Sequence, residues 1–463
     1  MTELIQYFPK QPIDGTLASI RNLETFLTNQ DQVFILKGYA GTGKTTLMKG
    51  LIRYLATIKR PYVLLASTGR AAKVLADKTL ENTSTIHSKI YKLDRVDDTE
   101  EIRKITFSLK TNYDAPETIY IIDEASMIPD KPSMSGLLNY GDGRLLAHIF
   151  SFIQQRKVIF IGDPAQLPPV KNKFSAALHE KYIAQQFNVT VISTELKKVW
   201  RQESGSGILY NASRLRFPEI VEPVGIRIHA SGFADIKLCY QQSDLVRNYV
   251  SLVKQHGFEN AIILSYGNKA VFKFNQMVRQ YLFPGQNTLT PGDWLMVVFN
   301  SYKHSLANGQ HVSVVDVSPA LEKRANLLFR EITLEVYEKG TKRLVNCKII
   351  EDLLNIPEAS LELQAENELM KDFAIRMRNL GIKPKSKEYE TAFLTDPYLN
   401  AVRVKFGYAI TGHKAQGGEW ENVLLQLEYS LDYLDLENVY RWVYTAVTRA
   451  SKNLYLLKNK IVI

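Results

Sequence analysis

Five runs of apolar residues dominate the first part of the chain: "VFILKG" (33–38), "YVLLAST" (62–68), "IYIIDEAS" (119–126), "VIFIGD" (158–163) and "VTVIST" (189–194). A strand with one wet face alternates apolar and polar residues, whereas a strand covered on both faces does not. These runs lack the alternation, each closes on a turn or polar residue, and helix-like segments such as "TTLMKGLIRYLATI" (45–58) separate them. The pattern predicts buried parallel strands with crossover helices over about the first 200 residues, an α/β domain.

The same grammar returns in "AIILSY" (261–266), "VLLQL" (423–427) and "NLYLL" (453–457). Between them lie "PGDWLMVVFN" (291–300) and "LANGQHVSVVDV" (306–317), where Pro-Gly-Asp and Asn-Gly mark turns between alternating strands, as in a small β-barrel. The segment "ASLELQAENELMKDFAIRMRNLGI" (359–382) has helical apolar spacing and stops at Gly381. Residues 285–400 therefore read as an insertion in a second α/β domain formed by 206–284 and 401–463, after a first domain of 1–205. A length of 463 residues suits two large domains plus an insertion.

Lys and Arg number 58 against 48 Asp and Glu, a net charge of +10 that favours a polyanionic partner. The two cysteines, Cys239 and Cys347, are far apart without metal-ligand spacing and read as buried thiols in a reducing compartment. The opening "MTELIQYFPKQPIDG" lacks a basic start followed by an apolar run, and no stretch approaches roughly 18 consecutive apolar residues. A cytoplasmic protein without a membrane partner is expected.

Chemistry follows the strands. In open parallel sheets ligands sit beyond the carboxyl ends of the strands. After "VFILK" comes "GYAGTGKTT" (38–46), which satisfies G-x-x-x-x-G-K-[ST]. The loop residues Gly38, Ala40, Gly41, Thr42 and Gly43 bring backbone N–H groups to phosphate oxygens. Lys44 neutralises the β and γ phosphates, Thr45 ligates Mg²⁺ through its hydroxyl, and Thr46 leads into a helix whose dipole favours an anion. After "IYII" come Asp123 and Glu124: an aspartate at a strand end holds Mg²⁺, and an adjacent glutamate orients or deprotonates the attacking water. After "VIFIGD" comes "PAQLPPV", where the Gln166 amide can both donate to a γ-phosphate oxygen and accept from water. The expected ligands are a nucleoside triphosphate and Mg²⁺.

Eight segments occur in one order: "GYAGTGKTT", "STGRAAKVL", "TIHSKIY", "IIDEASMI", "GDPAQLPPV", "LKKVWRQ", "YAITGHKAQGGEW" and "YTAVTRA". In this order they resemble the motifs of superfamily 1 helicases of the 5'-to-3' branch, the RecD/Dda-like group, with a broader likeness to the Pif group. The resemblance spans residues 30–456. It implies two RecA-like P-loop domains with parallel sheets, a β-hairpin pin inserted in the first at about 88–118, and an SH3-like β-barrel insertion.

The resemblance also implies that Arg201 in "VWRQ" and Arg449 in "TAVTRA" reach the γ-phosphate across the interdomain cleft. For DNA binding it implies Thr68, Gly69, Arg70, Thr85 and His87 in the first domain, and Asn268, Lys269, Thr411, His413, Lys414 and Gln416 in the second. Hydroxyl, amide and cationic groups of this kind hold phosphate and sugar without reading sequence. In the pin interval, Phe107 or Tyr113 either stacks on a base at the junction or packs the hairpin onto its own domain. Thr16 stands near the place where related enzymes carry an adenine-recognising glutamine, and Gln11 lies five residues earlier, which leaves adenine selection open.

The expected activity is an ATP-dependent DNA helicase, monomeric, translocating on single-stranded DNA 5'-to-3' and opening forked duplexes. The alternatives are the motor subunit of a helicase–nuclease complex and an ATP-switched single-strand binding protein without unwinding.

Overall fold

The computed structural model describes residues 3–8, 14–98, 103–132, 138–170, 172–198, 205–220, 225–338, 341–384, 386–428 and 435–463. The first part contains α1 (Asp14–Thr28), β1 (Val33–Gly38), α2 (Lys44–Thr57), β2 (Tyr62–Ala66), α3 (Gly69–Thr79), β3 (Thr83–Thr85) and α4 (Ile86–Ile90). A hairpin of β4 (Tyr91–Asp98) and β5 (Arg103–Leu109) follows. The chain then continues through β6 (Ile119–Asp123), β7 (Leu138–Asn139), α5 (Leu145–Ile153), β8 (Val158–Gly162), α6 (Glu180–Phe187) and β9 (Val191–Leu196).

Six of these strands make a parallel sheet in the order β3-β2-β6-β8-β1-β9. Helices cover both faces, so β1, β6 and β8 are buried as their uninterrupted runs require, whereas the edge strand β9 is only half-buried over most of its length. Register then sets the chemistry: Lys37 of β1 pairs with Gly162 of β8, which brings the loop after β1 beside Asp163.

The second part begins with α7 (Gly207–Arg214), β10 (Ile236–Cys239), α8 (Gln242–His256), β11 (Ala261–Ser265) and α9 (Asn268–Leu282). The chain leaves through β12 (Trp294–Val297), β13 (His311–Arg324), β14 (Leu327–Glu338), β15 (Thr341–Ile350), α10 (Leu363–Asn379), α11 (Lys387–Thr395) and β16 (Val404–Phe406). It returns through β17 (Ala409–Thr411), β18 (Trp420–Leu425), α12 (Leu436–Val447) and β19 (Ala450–Leu457). The second parallel sheet runs β10-β19-β18-β11-β17.

The intervening strands form an antiparallel sheet, β15-β14-β13-β12-β16. Its two ends approach each other at one isolated bridge, Ile349 to Val402. β16 pairs with β12, so the insertion's sheet extends past the boundary at 400 read from sequence. A buried ion pair and a hydrogen bond fix its base: Arg279 Nε lies 2.8 Å from Asp293 Oδ1, and the Tyr408 hydroxyl donates to the same carboxylate at 2.6 Å. The helix expected at 359–382 is α10, and Gly381 just beyond it takes φ +73°, the left-handed conformation that favours glycine after a helix. Cys239 and Cys347 are both buried and free. Among the described residues no helix is long and apolar enough to cross a membrane.

Candidate functional site

Between the two parallel sheets lies a cleft of about 410 Å³, lined by the phosphate loop on one side and by Gly417, Gly418, Thr448 and Arg449 on the other. Two glycines make the loop's turn. Gly43 caps α2 at φ 93°, and a Cβ on Gly38 would lie 2.8 Å from Thr42 Oγ1 and 2.9 Å from Lys44 Cγ. The Lys44 ammonium donates to the Gly38 and Tyr39 carbonyls at 2.6 and 3.0 Å and lies 3.8 Å from Asp163. The cation is thus stored against its own loop, poised for a phosphate.

Asp123 ends β6, and its Oδ1 accepts from the Glu124 N–H at 2.9 Å. Glu124 holds φ 51°, an uncommon backbone for a side chain of its size and one found disproportionately at functional sites. Burial raises both carboxyl pKa values; Lys44 opposes this at both, and Arg449 also at Glu124. The Gln166 Oε1 is buried without a partner. Two desolvated carboxylates, a stored ammonium and an unpaired buried acceptor fit a magnesium–nucleotide, which would supply the cation and phosphate that these groups lack.

The second domain closes the cleft through α12. Its Tyr444 hydroxyl donates to Asp163 Oδ2 at 2.7 Å and accepts from the Ala40 N–H of the phosphate loop at 2.8 Å. Burial, and then Asp163, hold this phenol well above its ordinary pKa, so it remains a donor. Thr445 Oγ1 accepts from Leu167 N–H at 3.1 Å, and Arg441 donates to the Pro164 and Gln166 carbonyls at 2.6 and 3.1 Å. Arg449, buried in the cleft wall, donates to the carbonyls of Thr445 at 2.9 Å and Gly418 at 3.0 Å. Arg201 lies outside the described residues. Sequence reading missed Tyr444, Arg441 and Thr445 because α12 is an amphipathic helix whose aromatics read as core. Asp163, immediately after β8, was visible as the carboxylate that closes "VIFIGD".

The residues expected on DNA divide into several situations. Thr68 and Thr85 cap α3 and α4, accepting from Ala71 and Ser88 N–H at 3.1 and 3.2 Å. A Cβ on Gly69 would collide with Ala307 Cβ at 2.2 Å, so α3 starts against the insertion. Arg70 is occupied rather than open. Its guanidinium lies 3.8 Å over the Trp420 ring and 2.8 Å from His311 Nδ1, and burial, with Arg449 nearby, lowers its pKa.

His87 packs against Tyr91 and Tyr140, and burial lowers its pKa to about 4. Asn268 and Lys269 are exposed at the start of α9. Thr411 Oγ1 accepts from Lys414 N–H at 3.3 Å, His413 lies against Tyr266, and Lys414 shares a small recess with Lys405, Asn268 and Thr411. Gln416 departs most from expectation: it is 5% exposed and its amide donates to the Leu167 carbonyl at 2.9 Å, joining the domains.

Phe107 stacks on Tyr140 at 4.6 Å near the hairpin's base, whereas Tyr113 is 90% exposed. Residues 99–102 between β4 and β5 lie outside the described residues. Thr16 is buried on α1, and Gln11 lies outside the described residues.

A family profile described as the AAA domain matches residues 20–217, and one described as the UvrD-like helicase C-terminal domain matches 406–457. The ATP-dependent DNA helicase dda of Enterobacteria phage T4 is 26% identical over 449 residues, covering 91% of this chain and 93% of that protein. This chain belongs to the superfamily 1B helicases of the RecD, Dda and Pif group. The ATP-dependent RecD2 DNA helicase of Deinococcus radiodurans is 22% identical over 433 residues, covering 90% of this chain and 46% of that protein. A Pif1 helicase structure concerned with unwinding at forked double-stranded DNA matches with TM-score 0.50 at 15% identity, covering 98% of this chain and 94% of that one. That likeness identifies the two parallel sheets as RecA-like domains. In this helicase the two profile matches meet at the cleft, one carrying Lys44, Asp123, Glu124 and Gln166 and the other Gly417, Gly418 and Arg449.

Proposed function

We propose that this chain, an ATP-dependent DNA helicase by its family, translocates 5'-to-3' on single-stranded DNA as a monomer in the cytoplasm and opens forked duplexes. The observation that carries the reading is the cleft itself: the phosphate loop and Arg449 come from different RecA-like domains yet line one cavity. Hydrolysis then depends on the relative position of the domains, as translocation requires.

In this reading Thr45 and Asp123 would hold Mg²⁺, which would offset phosphate charge. Lys44 leaves the Gly38 and Tyr39 carbonyls for the β and γ oxygens, and Glu124 takes the proton of the attacking water. Gln166 orients that water. Arg449, released from the Thr445 and Gly418 carbonyls, meets charge developing on the γ-phosphoryl group, a contribution of about 10³ to 10⁵ in rate in related phosphoryl-transfer systems.

Asn268, Lys269, His413 and Lys414 hold the strand on the second domain, and the start of α3 holds it on the first. Thr68 and Thr85 act through the helix N-termini that they cap. The insertion is read as SH3-like, closing over the strand beside the β4–β5 pin. Its antiparallel sheet, with ends meeting at Ile349 and Val402, supports this.

Forked duplexes carrying either a 5' or a 3' single-stranded tail test activity and polarity together. Displacement from the 5'-tailed substrate only is expected. Displacement from the 3'-tailed substrate only would reverse the polarity, and ATP hydrolysis stimulated by single strands without displacement would sink the unwinding claim.

A further inference from the structure

A second cavity, about 560 Å³, lies between the base of the β4–β5 hairpin and the insertion, away from the nucleotide cleft. We propose that it receives one unpaired nucleobase of the bound DNA, swung out of the strand beside the hairpin. The proposal rests on the reading of the chain as a DNA helicase and adds to it a site for a base.

Size, ring chemistry and charge agree on that occupant. The volume falls within the roughly 300–1,000 Å³ of sites that enclose small ligands. Tyr91, Phe107, Phe299, Tyr302 and Phe393 all contribute to the walls. Phe107 already stacks on Tyr140, with ring planes 16° apart, and its ring centroid lies 6.0 Å from that of Tyr302. Aromatic walls of this kind take any base, because every base offers a π-face.

Some polar groups of the lining are already engaged: Asn300 Oδ1 accepts from the Asn308 N–H at 2.8 Å, and the Asn400 amide donates to the Phe393 and Asp396 carbonyls at 2.8 and 2.9 Å. Ser301 also lines the cavity, and its buried hydroxyl has no hydrogen-bond partner. A buried hydroxyl without a partner is costly unless a ligand satisfies it.

The charge at the cavity separates a nucleotide from an apolar peptide. Among the described residues its one lining carboxylate, Glu366, is held by Arg403, with Nη2 to Oε2 at 2.8 Å. Lys92, Lys110 and Lys303 are exposed members of the lining. The net field is positive around an apolar, aromatic interior, which suits a ring attached to a phosphodiester on each side. No sequence preference is expected, since stacking dominates the contact.

The test uses the full chain and forked DNA in which 2-aminopurine replaces one base at successive positions from the junction. Acrylamide quenching reads the exposure of the probe. We expect protection at one position, and an abasic site placed there should weaken binding roughly tenfold.

Tyr302→Ala removes an exposed wall, and Leu394→Trp fills the cavity with the protein's own ring. Either should abolish the protection and make the abasic and native forks bind alike. Tyr302→Ala decides if the filled variant does not fold. Uniform exposure along the strand, or protection unchanged in Tyr302→Ala, overturns the proposal. Strand displacement from the 5'-tailed substrate by the native chain, measured in parallel, judges the helicase reading by itself.

Discussion

Two clefts separate the parts of this protein, and they are built in opposite ways. The nucleotide cleft is polar: beside an apolar contact of Tyr39, Ala165 and Leu167 with the second domain, its two sides are joined by directional bonds, Tyr444 to Asp163 and Ala40, Thr445 to Leu167, and Gln416 to Leu167. The cavity beside the hairpin is walled mainly by aromatic and aliphatic side chains. Directional bonds have two states, made or broken, so they transmit which nucleotide is bound. Ring contacts fade gradually and hold any base. One cleft is suited to switching and the other to sequence-tolerant grip.

The contrast breaks hardest at the phosphate loop. Lys44→Ala removes the cation stored against the phosphate loop's carbonyls, and we expect hydrolysis to fall below detection while the fold persists. Steady-state ATPase and circular dichroism check both halves; retained turnover would remove the loop from the reaction.

Arg449→Ala comes next, with an expected loss of about 10³-fold in kcat and little change in the Kd of a fluorescent ATP analogue. Equal losses in both would give Arg449 a structural role only, through the Thr445 and Gly418 carbonyls it bonds.

Tyr444→Phe sharpens the comparison because it deletes one oxygen and keeps the ring. The Ala40 N–H and an Asp163 oxygen then lose their shared partner, each at about 1–3 kcal/mol if left buried and unpaired. We expect stimulation of ATP hydrolysis by single strands to drop roughly tenfold. DNA-independent hydrolysis should change less, since Lys44 and Arg449 are untouched. A uniform loss with and without DNA would place Tyr444 in packing rather than in communication between domains.

Legibility in the sequence follows the same division. Lys44, Asp123 and Gln166 could be read because each follows an apolar run that can only be a buried strand, and the carboxyl ends of such strands lie together. Tyr444 could not, since a tyrosine on an amphipathic helix reads as core until the partner of its hydroxyl is known. Gln416 and Arg70 show the converse. Their motif surroundings pointed to DNA, but the local sequence does not say which surface faces the strand and which faces the other domain. In the fold, both bridge parts of the protein. The insertion's strands were visible from their turns, whereas the return through β16 was not, because a three-residue strand has too little alternation to distinguish it.

The smallest effect belongs to His87, at the edge of the apolar cavity. Its ring packs against Tyr91 and Tyr140, and burial holds its folded pKa at about 4, below the ordinary value of 6.5. The unfolded chain therefore binds a proton that the folded chain refuses as pH falls from 6.5 towards 4. Stability from the neutral ring is complete above pH 6.5 and is lost across that window. The ring is only partly covered, so the loss should be on the order of 1 kcal/mol by pH 5 rather than the full value of the shift. His87→Phe keeps a ring that cannot protonate. The unfolding midpoint of the native chain should therefore fall further between pH 7.5 and 5 than that of the variant, while other titrating groups act on both alike. Parallel pH profiles would mean that the imidazole reaches water when charged, and that this wall of the cavity is more polar than its aromatic neighbours indicate.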